Sequence, residues 1–202
     1  MIPGRGRLMG SFADKLVAKT NAEFAKYRGV LENASPLKQR IGEYWAFLNL
    51  AERDGSSDFA WSAAFVSYMV HLAGAGAAFP YSSLHAFYIY RTINDYLAKK
   101  QDASFCGLRL IKGQVIPGDI LGMNRPDLSP MDYDAAAKSA NYFSHSDIVV
   151  AVDSDGIHTI GGNVGRKPGE IGKKVFKWDG AKLYNTRGAS QQVFVVIRNS
   201  LP

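Results

Sequence analysis

Three residues stand in an order that could perform nucleophilic chemistry: Ser62, His145 and Asn163. Ser62 follows Trp61 and opens a stretch, residues 61–73, that is apolar nearly all round, which predicts a central buried helix. Its neighbours one and two turns on are Val66 and Met69, so its side chain is expected to face the core. A helix N-terminus gathers unpaired N–H groups and positive potential, which favours an anionic nucleophile and supplies oxyanion donors. Serine is also a preferred helix cap, and a plain capping role competes with the nucleophilic one.

His145 opens the strand His145-Ser146-Asp147-Ile148-Val149-Val150-Ala151-Val152. Period-two alternation places His145, Asp147, Val149 and Ala151 on one face. That face is small, so a helix is expected to pack close on it and bring its start near His145. Ser154-Asp155-Gly156 predicts a hairpin that folds Asn163 back opposite the His145 end. An Asn there could hold an imidazole in its working tautomer, as the third member of a nucleophile–base–orienter set. Asp147 competes for that role, and Gly161-Gly162-Asn163 could equally be a turn.

The elements needed to position these residues are legible in outline. Helices are predicted over 12–28, 36–53, 61–73 and 84–99. After Lys100 the apolar runs become short and strand-like: Leu108–Ile111, Ile120–Met123, Ile148–Val152, Ile157–Ile160, Val175–Trp178 and Val193–Ile197. Residues 126–143 read as an Ala-rich polar insertion with a short helix. Helices first and strands after is an α+β pattern. Residues 1–10 are expected to form a flexible basic arm, and residues 11–202 a single domain.

The 202 residues are 47% hydrophobic and 21% charged, with a net charge of +6, ordinary for a chain that buries a core. The basic balance favours anionic partners, but no nucleic-acid motif of proper spacing occurs, so no nucleic-acid partner is expected. Cys106 is the sole cysteine and excludes an intramolecular disulfide. The four histidines lack metal-site spacing, so neither metal nor cofactor is expected. The region from Phe65 to Tyr81 is too broken to span a membrane. No cleavable leader is visible, which predicts synthesis in the cytoplasm and any delivery to the periplasm or cell wall by a dedicated secretion or lysis route.

Longer motifs narrow the reading. Ala60-Trp61-Ser62-Ala63-Ala64-Phe65-Val66-Ser67 resembles the Trp-Cys-Ala-Ala-Phe-Val segment of CHAP-type and NlpC-type amidase/peptidases. Pro117-Gly118-Asp119-Ile120-Leu121 resembles their Pro-Gly-Asp strand entry. Together with Gly42-Glu43-Tyr44-Trp45, Ser144–Val150 and Ile160–Val164, these motifs resemble an uncharacterised bacterial domain family, DUF2272. The resemblance implies a papain-like α+β core, with N-terminal helices followed by an antiparallel sheet. It also implies amide-bond hydrolysis in peptidoglycan or its stem peptides, as in a phage lysis enzyme or a contact-delivered antibacterial effector with a delivery or immunity partner. Carried over residue by residue, Ser62 takes the nucleophile position, His145 the base and Asn163 the orienter. Trp61, His85, Asp147 and Arg125 are accessory or substrate-binding candidates, whereas His71 and His158 read as structural.

The departure is Ser62 itself, where the CHAP-type and NlpC-type proteins carry cysteine. A thiol ionises readily beside an imidazole; a hydroxyl must lose its proton during attack. A Ser–His–Asn hydrolase, a catalytically inactive wall-binding module, an acyl hydrolase or transferase on the same fold, and a laboratory Cys-to-Ser change all stay open at this level. The family pattern's own Ser weighs against the last.

Overall fold

A computed structural model describes residues 11–125, 131–165, 167–187 and 191–202. The predicted basic arm at residues 1–10 lies outside them. Four helices precede all the strands: α1 Phe12–Tyr27, α2 Leu37–Phe47, α3 Ser62–Leu72 and α4 His85–Leu97. Then come β1 Phe105–Arg109, β2 Ile120–Met123, the one-turn α5 Tyr133–Ala136, β3 His145–Asp153, β4 Gly156–Val164, β5 Glu170–Asp179, β6 Lys182–Asn185 and β7 Val193–Asn199. The protein is thus mixed α+β, as its pattern predicts.

Local chemistry sets the helix ends. Ser11 caps α1 by accepting from the Asp14 N–H. The expected helix over 36–53 stops at Phe47 because Asn49 turns left-handed, with φ 61°, and the chain folds back on the Trp45 carbonyl. α1 and α2 are joined by a buried polar knot. Arg40 Nε donates to Glu23 Oε1 at 2.5 Å, and the Tyr44 hydroxyl donates to the same oxygen at 2.6 Å.

The strands form one antiparallel sheet in the order β1-β7-β2-β3-β4-β5-β6. The sheet curls until β6 approaches the start of β7. An isolated bridge pairs Tyr184 with Gln192, and the Asn185 N–H donates to the Gln191 carbonyl at 3.2 Å. Curling divides the apolar residues into two cores. Ile120, Ile148, Ile160, Val195 and Ile197 pack with the helices, whereas Leu121, Val149, Ile157, Phe176 and Val196 fill the inside of the curl.

This division corrects one expectation. The helix layer packs on the Ile148 face of β3, not on the small His145–Asp147–Val149 face, which points into the curl. The close approach comes instead from β4. A methyl on Gly162 would lie 2.5 Å from the Trp61 ring and 2.8 Å from the Phe65 Cβ, so only glycine lets the start of α3 sit against the sheet there. The Pro117-Gly118-Asp119 motif is structural in the same way. Gly118, with φ +90°, sits under Ala13 of α1, and buried Asp119 accepts from Arg198 Nε at 2.9 Å and Nη2 at 2.7 Å.

Candidate active site

Ser62 is the first residue of α3. The cap position belongs to Trp61, which makes no side-chain capping bond, so Ser62 is not spent on capping. Instead its hydroxyl lies 2.6 Å from His85 Nε2. Ser62 lies at the positive end of an 11-residue helix, with first-turn N–H groups that the helix itself leaves unpaired.

His85 opens α4, and its Nδ1 lies 2.5 Å from the hydroxyl of Tyr88, one turn along the same helix. Helical geometry makes this contact, since residues three apart share a face. The ring is buried, which pushes its pKa well below the ordinary histidine range; His145 and Arg125 press in the same direction, against Asp147. His85 is therefore neutral and has two tautomers. With the proton on Nδ1, the ring donates to Tyr88 and Nε2 accepts from the Ser62 hydroxyl, the arrangement of a general base. That tautomer requires Tyr88 to send its own proton elsewhere. The Ser146 hydroxyl beside it is buried and, among the described residues, has no other hydrogen-bond partner, so it is suited to receive that proton.

His145 is also buried and stands with its ring centroid 5.2 Å from that of His85. Its Nε2 lies 2.9 Å from Asp147 Oδ1. An ionised carboxylate only accepts, so it fixes the proton on Nε2 and leaves Nδ1 bare. Asp147 itself is fully buried. Burial alone would raise its pKa, but Lys174 and His145 overcome that and hold it below the usual carboxylate range. Lys174 Nζ lies 3.0 Å from Oδ2, and the Thr159 hydroxyl donates to the same oxygen at 3.2 Å. His145 in turn has its pKa lowered by burial first and by Lys174 second. Gly161 makes room for this cluster, since a methyl there would sit 1.8 Å from Asp147 Oδ1.

The structure therefore groups the predicted residues differently from the sequence. The partner of Ser62 is His85, not His145. The residue that holds His145 is Asp147, not Asn163. Asn163 adopts a left-handed φ of 55° where the pairing of β4 with β5 slips, and its side chain turns toward Gly169. Trp61 is buried rather than exposed to ligand, and its indole N–H donates to Glu32 Oε2 at 2.5 Å. His71 stacks on Phe47 and His158 pairs with Asp153, both structural as expected. The Tyr88 and Lys174 contributions had no sequence motif to announce them. The His85–Tyr88 spacing on one helix face was the only available sign.

Two cavities flank the histidines. One, of about 280 Å³, holds Ser62 and His85 and is walled by Trp45, Phe59, Leu84 and Phe143. The other, of about 650 Å³, lies at the mouth of the curl, with His145, Asn163, Lys174 and Arg187 among its lining residues. Arg125 lines both. Among the described residues, no helix is long and apolar enough to cross a membrane.

A helix layer on a curled antiparallel sheet, with a serine–histidine contact at a buried helix start, defines the class of this protein. A family model described as an uncharacterized protein conserved in bacteria (DUF2272) matches residues 33–168, about two thirds of the sequence, and the chain belongs to that family. No curated protein and no solved structure matches the chain.

Proposed function

We propose that this protein is an amide-bond hydrolase with a serine nucleophile, acting on peptidoglycan stem peptides through a papain-like site. The observation that carries the proposal is the 2.6 Å contact between Ser62 Oγ and a neutral, buried His85 at the start of α3. In the first step Oγ bonds to the substrate carbonyl carbon while its proton passes to His85 Nε2. The oxyanion forms against the free N–H groups of the first turn of α3. The C–N bond then breaks, and His85 returns the proton to the leaving amine. In the second step water attacks the acyl carbon, the bond from that carbon to Ser62 Oγ breaks, and the carboxylic acid is released. The bare Nδ1 of His145, held by Asp147, accepts the water proton and returns it to Ser62, directly or through His85. The resemblance of Trp61–Ser67 to CHAP-type and NlpC-type nucleophile helices, and the net charge of +6, support the anionic wall polymer as substrate.

The test is digestion of purified sacculi, with fragments read by mass spectrometry. New peptide or amino-sugar ends are expected with the native protein and none with Ser62→Ala. Intact sacculi with the native protein would overturn the substrate assignment. Identical ends from both proteins would overturn the role of Ser62.

A further inference from the structure

The two cavities differ sharply in character and meet at one residue. Around Ser62 the rim is apolar and open. Phe59, Leu84 and Phe143 are 51%, 58% and 71% exposed, a cluster of large apolar side chains left in water beside a buried hydroxyl. Arg53 lies over the Phe59 ring at 3.8 Å and steadies that wall. The cavity at the mouth of the curl is the opposite. Arg28, Arg125, Lys173, Lys174 and Arg187 line it, and among the described residues Glu170 is the one carboxylate with them. Lys174 already answers Asp147 and Lys173 lies over the Phe24 ring. Among the described residues, Arg28, Arg125 and Arg187 have no carboxylate partner. Cations gathered round one concave mouth add their fields and raise its positive potential, which favours an anion there. Exposed aromatic and aliphatic groups grouped round a cleft likewise mark a binding surface.

We infer that the ligand of this protein has two unlike ends: an apolar group seated among Phe59, Leu84 and Phe143, and an oxyanion, carboxylate or phosphate, held in the basic mouth by Arg125 and Arg187. Arg125, shared by both cavities, sets the distance between the two ends, so the bond presented to Ser62 lies between an apolar and an anionic group. Guanidinium forks suit both oxyanions. The inference rests on Ser62 as the reacting residue for the position of the scissile bond, while the binding of the two ends stands apart from catalysis.

The experiment uses the full chain carrying Ser62→Ala, titrated calorimetrically with four probes. N-benzoylglutamate and benzyl phosphate carry both ends, N-benzoylglutamine amide lacks the charge, and N-acetylglutamate lacks the ring. At least one two-ended probe is expected to bind tenfold or more tightly than both one-ended probes, and which one does so names the oxyanion. Arg125→Gln should cut the preference for charge about fivefold or more, with Arg187 retaining the remainder, and Phe143→Ser should remove the preference for the ring while keeping that for charge. Both side chains are exposed, and thermal melting will verify that the variants fold. Equal affinity for charged and neutral probes, no measurable binding of any probe, or an unchanged charge preference in Arg125→Gln overturns the inference. Selective binding by the Ser62→Ala chain together with inert native protein would overturn the catalytic proposal alone. Turnover by native protein without two-ended selectivity would overturn this inference alone.

Discussion

The rings of His85 and His145 stand 5.2 Å apart and 57° from parallel, and each is held by a separate set of partners. His85 belongs to the helices, between Ser62 and Tyr88, whereas His145 belongs to the sheet, on Asp147 and through it Lys174. Two neutral imidazoles with different supports can divide a two-step reaction between them.

That division is testable with an activated ester, whose acylation is easy, by intact mass of the protein during turnover. Ser62→Ala and His85→Ala should form no acyl-protein, with overall rates lower by about 10²–10⁴-fold for the histidine. His145→Ala should acylate and then stall, so the acylated mass accumulates. If His145→Ala blocks acylation and His85→Ala does not, the roles are reversed and the base is the residue expected from chain order. Ser62→Cys should acylate at least as readily as the native protein, because a thiol ionises more easily beside an imidazole at a helix start.

Tyr88 acts through His85, as a positioning residue. Tyr88→Phe leaves Nδ1 buried without its partner and frees the tautomer. The rate of acylation is expected to fall about tenfold or more, with the acid limb of its pH profile displaced and KM little changed. A loss expressed wholly in KM would place Tyr88 in substrate binding instead.

How much of this could be read from the sequence follows from the range of the interactions. Ser62 was legible because the helix it opens is apolar nearly all round, and the 145–147 pairing because alternation puts both side chains on one face. The contact of His85 with Ser62 depends on how α4 docks against α3, and no local pattern encodes that approach. Asn163 fails as orienter because β4 slips against β5 after Gly161, which plain alternation cannot foresee. β6 escaped notice because its four residues bury one apolar side chain, Leu183.

Acid should destabilise the fold earlier than carboxylate titration alone allows. His85 and His145 have pKa values lowered by burial, while in the unfolded chain both titrate near 6.5. Below that pH the unfolded state takes up protons that the folded state refuses, so stability falls as pH falls. The slope is up to about 1.4 kcal/mol per pH unit for each histidine. Asp147, also held low, adds to the loss only below about pH 4. Urea unfolding between pH 7.5 and 5 should show this decline, and His85→Gln should flatten it. A stability constant across that interval would contradict the neutral, buried state of both rings.

Lys174 and Asp147 are a nearly buried pair, 10% and 0% exposed at their side chains. Removing one charge leaves the other in a poorly solvated site, so Asp147→Asn should cost about 3–5 kcal/mol, far more than a surface pair. The double change Asp147→Asn with Lys174→Met should recover part of that loss, measured as the midpoint of urea unfolding. A double variant no more stable than Asp147→Asn would mean that the hydrogen bonds of Asp147 to His145 and Thr159, rather than the stranded cation, dominate.

Gly162 offers a test of how the sheet supports the nucleophile. It lies on the helix-facing side of β4, and a methyl there would press on the Trp61 ring at 2.5 Å and the Phe65 Cβ at 2.8 Å. Neither neighbour can yield easily: both are buried, and Trp61 is tied to Glu32. Gly162→Ala should therefore destabilise the fold by about 1–3 kcal/mol, the cost of overpacking a tight core. Because Trp61 immediately precedes Ser62, the displacement should also loosen the Ser62–His85 contact and slow acylation of the folded fraction. Acylation rates corrected for the fraction folded will separate the two effects. Lost stability with native acylation would show that the start of α3 moves as a rigid unit with α4.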